Sequence, residues 1–325
     1  MTYRTFDGTS QTETITTGRY SSSFLSPQPH FKNRLINGTL EHWQRGATIT
    51  TNASYSADRW KVQGNTANIS VARATPSGGP NALYSAQIKA TNNDITWLQF
   101  GQQIENINCW DLQGKKVTIS FWAKALVDND ASKALTVRTR HHASADGAAL
   151  FAGTNSDTSV TLTTTWTRYL VSRVLPTSFG AVSIEFVLGD LANNDGIEIA
   201  QMQVESGNFT SFEQRSNQLE LHLCKRYYQL QGAGLAGMAD DTSRWSVGSR
   251  FDPVMRAAPT ATVTSATPQV RSRASDKTGS SSSIAYSAIT ANAFHVGIDG
   301  FTGMTQGDGI VERQGVNFLS FEAEL

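Results

Sequence analysis

Four glutamates, Glu105, Glu185, Glu198 and Glu205, sit in or beside stretches that read as strands. Hydrolysis of a glycosidic bond needs two carboxyl groups about 5–9.5 Å apart, one of them with a raised pKa. Glu185 in SIEFVLG and Glu198 in GIEIAQ fall on what read as neighbouring strands, so they form the pair best placed to face each other. A carboxylate on the outer face of a strand is ordinarily a solvated charge, however, and no companion motif supports catalysis. The chain has no GxSxG, no HExxH and no GxxxxGKS/T. No catalytic residue is assigned, and the protein is expected not to be an enzyme. His141 and His142 are adjacent, which on a strand sends them to opposite faces, so they do not make half of a metal site. Cys109 and Cys224 lie in no CxxC or Cys/His spacing and read as small reduced residues.

Sugar recognition is the second chemistry to weigh. It asks for flat aromatic rings against apolar sugar faces and planar polar groups for the hydroxyls. In ITWLQFGQ (95–102), Trp97 and Gln99 share one face of a strand, opposite Leu98 and Phe100. In ALTVRTRHH, Arg138, Arg140 and His142 share a face opposite Val137 and Thr139. Together with Trp122 and Lys124 these residues are expected to build a polar–aromatic surface on one sheet. The competing reading makes both tryptophans packing or subunit-interface residues.

The elements that must position these groups are short alternating runs: ADRWKVQG, NISVAR, ITWLQFGQQI, KKVTISFWAKA, KALTVRTRHH, TRYLVSRVLP, AVSIEFVLG and GIEIAQMQVESG. Ile119, Phe121 and Ala123 oppose Ser120, Trp122 and Lys124, a period of two. Many such runs without an intervening helix period imply an antiparallel sandwich. A helix is predicted over 216–229, SNQLELHLCKRYYQ, with Ser216 as N-cap. One apolar stripe would carry Leu219, Leu223 and Tyr227, and the other Leu221, Cys224 and Tyr228. After it comes a Gly-rich turn region, GAGLAGMADD. A second set of strands follows, WSVGSRF, TATVTSA, SIAYSAI, NAFHVGI and NFLSFEAEL, with a polar hairpin or loop at 272–283. The organisation read from the chain is therefore an arm at 1–33, a large β domain at 34–215, a connecting helix at 216–230 and a small β domain at 231–325.

Length and composition agree with a mostly β protein. The chain has 325 residues, 39% hydrophobic and 17% charged, the deficit in charge being filled by Ser, Thr, Asn and Gly. Lys+Arg and Asp+Glu number 27 each, so the basic field that nucleic-acid binding needs is missing. No apolar run approaches the roughly 20 residues of a membrane span, so no membrane insertion is expected. MTYRTFDGTSQTET lacks a basic region followed by an apolar stretch, so no signal peptide is expected and release by a route such as lysis is. Residues 1–33 hold too little apolar material for a core, and an extended arm lying on a partner protein is expected.

LINGTLEHWQRG (35–46) followed by YSADRW (55–60), KKVTISFWAKA (115–125) and GIEIAQMQVESGNFTSFEQRSNQLELHLCKRYYQ (196–229) together resemble a domain of phage tail-fibre, head-fibre and spike surface proteins. The last segment carries the Gln-x-Glu-x-Gly turn, Phe-Glu-x-Arg and the Cys-x-Arg-Tyr-Tyr helix end; the family often has Pro where this chain has Ser216. The resemblance covers roughly residues 34–230. More loosely, FDPVMRAAPTATV with terminal FEAEL resembles the small β domain that follows in those proteins. It implies a jelly roll akin to carbohydrate-binding modules, in a virion protein that is commonly a homotrimer and is made in the host cytoplasm. Its partners would be capsid or tail proteins through the arm, and host surface polysaccharide. Trp43, Trp60 and Trp166 lie in the family motifs and are expected to be structural. No cofactor is implied beyond a calcium ion, which such modules often hold between the N-terminal segment and the last strand; Asn37, Glu41 and Glu205 are the equivalents by position. The leading expectation is a structural or adhesive fibre, spike or decoration protein, with recognition at 231–325 or on the Trp97 face. The alternatives are a dedicated glycan-binding receptor-binding protein or a polysaccharide depolymerase.

Overall fold

In the computed structural model the chain divides into two compact units, Met1–Lys32 and Asn33–Leu325. The structure describes residues 31–126, 132–144, 146, 150–265, 267–272, 275–280, 282–313, 315 and 317–325, and the backbone of 4–5 and 13–14. In the first unit Arg4–Thr5 (β1) pairs antiparallel with Glu13–Thr14 (β2). The rest of the expected arm, as far as residue 30, lies outside the described residues. Asn33 belongs to the second unit.

The second unit opens with a sandwich. Its strands are Thr48–Ile49 (β3), Ser54–Tyr55 (β4), Lys61–Gly64 (β5), Ile69–Ala74 (β6), Ser85–Ala90 (β7), Leu98–Ile104 (β8), Lys116–Ala125 (β9), Ser132–His142 (β10), Thr154–Thr163 (β11), Thr167–Val174 (β12), Ala181–Leu188 (β13) and Gly196–Ser206 (β14). They make two six-stranded antiparallel sheets, ordered β11-β10-β13-β8-β5-β4 and β12-β9-β14-β7-β6-β3, in jelly-roll fashion. Alternation sends Phe100, Val137 and Phe186 inward from the first sheet and Ile119, Phe121 and Ile199 inward from the second, all buried in one apolar core. Trp60 stacks on Phe100 at 5.0 Å, and Phe121 crosses the layer to meet Phe186 edge-on at 4.8 Å.

The chain enters this core through Asn33–Leu40. The Asn33 amide donates to the Met202 carbonyl (3.0 Å) and accepts from the Val204 N–H (3.0 Å). Gln102 pairs through both amide atoms with the Ile36 backbone, at 2.7 Å each. Gly38 must be glycine here, because a Cβ would stand 2.2 Å from the Met202 carbonyl oxygen.

The predicted helix is shorter than its sequence pattern. It runs Asn217–Lys225 (α1), with the Ser216 hydroxyl accepting from the Leu219 N–H at 3.4 Å, and Tyr228–Gln231 already forms a strand, β15. The expected leucine stripe is broken. Leu219 is exposed, while the buried helical positions are Glu220 and Cys224. The reason is electrostatic: the Glu220 carboxylate accepts from the Asn37 N–H and from Arg215, so a charge occupies the inward side.

Beyond it follow Ala236–Ala239 (β16), Trp245–Arg250 (β17), Thr260–Val263 (β18), Gln269–Ser272 (β19), Ser275–Thr278 (β20), Ser283–Ile289 (β21), Ala293–Asp299 (β22), Gly309–Glu312 (β23) and Leu319–Glu322 (β24). Two sheets, β15-β24-β18 and β20-β19-β23-β16-β17-β22-β21, enclose a second core around Trp245, Phe294, Phe318 and Phe321. β16 corrects the reading of 232–241 as a turn region. Gly237 has no room for a side chain, since a Cβ would lie 1.9 Å from the Ser246 carbonyl oxygen, so its glycine serves close strand approach. β19 and β20 form a polar hairpin over 269–278, three residues ahead of the hairpin or loop expected at 272–283.

The C-terminus returns to the sandwich. Arg59, almost fully buried, ion-pairs with Glu324, donates to the Gln103 carbonyl (2.7 Å) and lies 3.6 Å from the Tyr227 ring centroid. Arg45 covers Tyr228 at 3.7 Å and reaches Glu324 at 3.2 Å. Burial pulls the Arg59 guanidinium down, but Glu324, Tyr227 and Tyr55 together outweigh it and the net direction is up. Glu324→Ala is therefore expected to cost about 3–5 kcal/mol, because it strands a buried cation. Chemical denaturation checks this, and Arg59→Met with Glu324→Leu is expected to recover most of the loss.

Candidate functional site

The outward face of the first sheet presents two rows that cross five strands. One row is Asp157, Arg138, Glu185, Gly101 and Lys61; the other is Ser159, Thr136, Val187, Gln99 and Gln63. Trp97 lies half-buried at the head of β8. Gly101 sinks the floor between Lys61 and Glu185, since a Cβ there would stand 2.9 Å from the Glu185 side chain. The face is therefore a shallow trough of planar polar groups with an indole at its rim.

Four of its charged groups pair with one another, while Lys61 lies 5.5 Å from the Tyr55 ring. Arg138 forks onto Asp157 at 2.9 and 2.8 Å, and this hydrogen bond holds the Asp157 carboxyl below its ordinary value. Arg140 forks onto the fully buried Glu185 at 2.8 and 3.0 Å. Burial raises the Glu185 carboxyl and Arg140 pulls it back. The Gln99 carbonyl oxygen, by contrast, is buried without a partner, as are both amide atoms of Gln103. Such groups carry unused hydrogen-bonding capacity.

His142 lies beside Arg140 and is buried. Ser183 donates its hydroxyl to the Leu150 carbonyl at 3.0 Å, so His142 Nε2 is the donor to Ser183, and Nδ1 is left without a partner. Burial, then Arg140, then His141 push the imidazole down to about 4. It is neutral at physiological pH.

The six residues expected on one surface divide between two. Trp97, Gln99, Arg138 and Arg140 belong to the first sheet, whereas Trp122 and Lys124 are on β9 of the second. Residue parity fixes a side chain as outward but does not say from which sheet, and the two outward faces look in opposite directions. On the second face Lys124 ion-pairs with Glu198 (3.0 Å) and lies 5.3 Å from the Trp166 ring, while Arg168 donates to Ser120 (2.9 Å) and covers Phe209 at 4.9 Å. Glu185 and Glu198 are likewise on opposite sheets and do not face each other. Glu198 accepts from Ser85 at 2.5 Å. Glu105 binds Arg226 (3.1 Å) and the Tyr227 hydroxyl (2.8 Å), and Glu205 accepts from Gln203 and Thr210.

The residues matched to a calcium site are each drawn into protein contacts. Asn37 binds the backbone of His42 and Asp58, Glu41 accepts from Gln214 and Asn217 at 3.2 Å each, and Glu205 is held as above. Among the described residues no group of three or more His, Cys, Asp or Glu converges. Cys109 and Cys224 are free and buried, and burial pushes the Cys109 thiol up to about 12. Trp60 and Trp43 are structural, their indoles donating to the Asn37 carbonyl (3.0 Å) and the Leu40 carbonyl (2.7 Å).

One cluster was not visible in the sequence. On the C-terminal domain Ser246 Oγ lies 2.7 Å from His295 Nε2 and 2.9 Å from the Tyr286 hydroxyl, and Asp240 accepts from that hydroxyl. The carboxylate thus orients the phenol, not the imidazole, so the contact lacks the order of a nucleophile, base and orienting acid. Only the pairing of β17 and β21 with β22 brings these residues together.

No family model matches the chain, and no curated protein matches it by sequence. Among solved structures the chain is similar to the enzymatically active domain of tailspike protein 4 of bacteriophage CBA120, at 15% identity and TM-score 0.39, over 55% of this chain and 22% of that one. It is also similar to a family 4 carbohydrate-binding module, at 22% identity and TM-score 0.35, over 53% of this chain and 98% of the module. A family 61 module in complex with β-1,4-galactotriose gives 16% identity and TM-score 0.34, over 54% and 99%.

The linkage sign for His142 is definite. Its folded value lies below the ordinary 6.5, so its contribution to stability is complete above pH 6.5 and is lost as pH falls towards 4. Unfolding free energies measured at intervals between pH 7 and 4 are expected to fall more steeply for the wild type than for His142→Gln. Parallel curves would contradict the assignment.

Proposed function

We propose that the protein is a non-enzymatic, glycan-binding component of a virion surface. Residues 1–33 dock it to other particle proteins, copies assemble as a homotrimer, and the trough on the first sheet meets host polysaccharide. The observation that carries the glycan reading is the trough itself. Planar side chains Gln63, Gln99 and Arg138 sit at strand spacing on a rigid sheet, with half-buried Trp97 just before β8. The non-enzymatic part rests on the glutamates. Each of Glu105, Glu185, Glu198 and Glu205 is tied to a cation or a hydrogen-bond donor, and the most plausible pair is split between sheets. The virion part rests on the sequence resemblance and on the arm's composition.

Incubation with host surface polysaccharide is expected to give retention without release of reducing ends. Trp97→Ala with Gln99→Ala is expected to weaken retention by about tenfold or more while leaving the fold intact, because both side chains are only half-buried. Appearance of reducing ends would establish a depolymerase instead.

Removal of residues 1–32, which leaves Asn33 in the sandwich, is expected to leave a folded chain that sediments as a trimer yet fails to join the particle. Normal incorporation would refute the docking role, and a monomer for the intact chain at micromolar concentration would refute the trimer.

A further inference from the structure

Seven described residues of the sandwich other than glycine adopt a left-handed backbone: Asn37 (φ 56°), Leu40 (φ 59°), Ala53 (φ 56°), Arg59 (φ 74°), Asp146 (φ 54°), Asn194 (φ 66°) and Gln201 (φ 47°). This conformation suits glycine and, less well, asparagine; elsewhere it is retained when the side chain is needed. For three of them the need is plain. Asn37 bonds the His42 and Asp58 backbone, Leu40 is in the core, and Arg59 holds Glu324. Gln201 is different, being the one of the seven that lies inside a strand. It fills no core and pairs with no charge.

Gln201 sits at a β-bulge in β14, where the register to β9 shifts between Ala200 and Gln203. A left-handed bulge residue is usually glycine, and bulges re-aim side chains beside functional sites. Here the bulge turns the Gln201 amide into a groove of about 430 Å³ lined by Glu41, Asn81, Leu83, Gln201, Phe212 and Gln214. Gln201 Nε2 donates to the Asn81 carbonyl (2.8 Å), and Gln214 Nε2 donates to Glu41 (3.2 Å), so each of the two glutamine amides keeps its carbonyl oxygen for a ligand. Leu83 is 66% exposed and Phe212 half-buried, which supplies an apolar wall. The groove has amide donors and acceptors, an aromatic ring, one carboxylate and no cationic lining residue. That chemistry fits a neutral polyhydroxylated ligand and repels an acidic one.

We infer that this groove, formed by the strained Gln201 with Asn81, Gln214 and Phe212, is a second carbohydrate site that takes neutral hexose or N-acetylhexosamine units. It lies beside β14 of the second sheet, apart from the Gln99 trough, and stands beside the glycan-binding reading of that trough without depending on it.

The test uses the full chain on an array of neutral hexose and N-acetylhexosamine oligosaccharides, with oligogalacturonates as acidic comparison. Gln201→Gly removes the side chain while relieving the backbone, so its Tm is expected to equal or exceed that of the wild type. Binding of neutral glycans retained by the Trp97→Ala, Gln99→Ala variant is expected to fall by about tenfold or more in that background when Gln201→Gly or Gln214→Ala is added, with oligogalacturonates unbound throughout. A lower Tm for Gln201→Gly would make the residue structural and overturn the site. So would undiminished neutral binding or equal binding of oligogalacturonates. Complete loss of binding in the Trp97→Ala, Gln99→Ala variant alone would overturn the groove and leave the trough standing; absence of any glycan binding by the wild type would overturn both.

Discussion

A buried guanidinium holds the second unit closed. Arg59 is contributed by the segment that opens the sandwich, yet its partners come from three other places: Glu324 at the chain's end, the Gln103 carbonyl on β8 and the Tyr227 ring just past the helix. A cation this deeply buried is tolerated only where paired charge and donated hydrogen bonds replace its lost hydration. Tyr227 and Tyr228 are consecutive, and their rings receive different cations, Arg59 and Arg45. The Cys-x-Arg-Tyr-Tyr segment therefore works as a two-sided clasp. Its location explains why the first segment, the helix end and the C-terminal strand form one compact unit although they enclose separate apolar cores.

The clasp also sets what the sandwich can offer outside. Because Gln103 gives its carbonyl to Arg59 and Glu105 takes the Tyr227 hydroxyl and Arg226, the end of β8 is fixed from the far side. The middle of the same strand, Gln99 and Gly101, is free of such ties and faces outward as part of the trough. A rigid strand with one anchored end and one open stretch positions side chains more closely than a loop does, which is what recognition of a repeating polymer requires.

Much of this was legible in the sequence, and the limits have physical causes. Strands with buried alternation, such as β9, β13 and β14, stand out because half of each faces the core. β11, almost wholly exposed, shows no apolar alternation and was missed, although it carries the Asp157 that pairs with Arg138. β7 was missed because small Ala86 and Ala90 fill its inward positions on either side of Ile88. Periodicity separated inward from outward residues correctly, but the two outward faces of a sandwich have the same pattern, so Trp122 and Lys124 were joined to the wrong sheet. The helix was overextended because Tyr227 and Tyr228 continue its apolar spacing while in fact serving the clasp. Gln201 had no sequence signature, since a bulge is a relation between two strands.

What remains is a question of unused capacity. On both outward faces several charged groups are spent on one another: Arg138 on Asp157, Arg140 on Glu185, Lys124 on Glu198. A charged ligand drawn to the Arg140–Glu185 pair would have to break it and leave a buried charge uncompensated. The amides are in the opposite position. Gln63 and Gln99 face each other across β5 and β8, and an amide both donates and accepts without bringing charge. The chain's 27 basic and 27 acidic side chains cancel overall, so the proposed recognition rests on local groups and not on a net field. For the proposed sites that leaves amides and aromatic rings as the distinguishing chemistry, which suits ligands that are neutral and rich in hydroxyls.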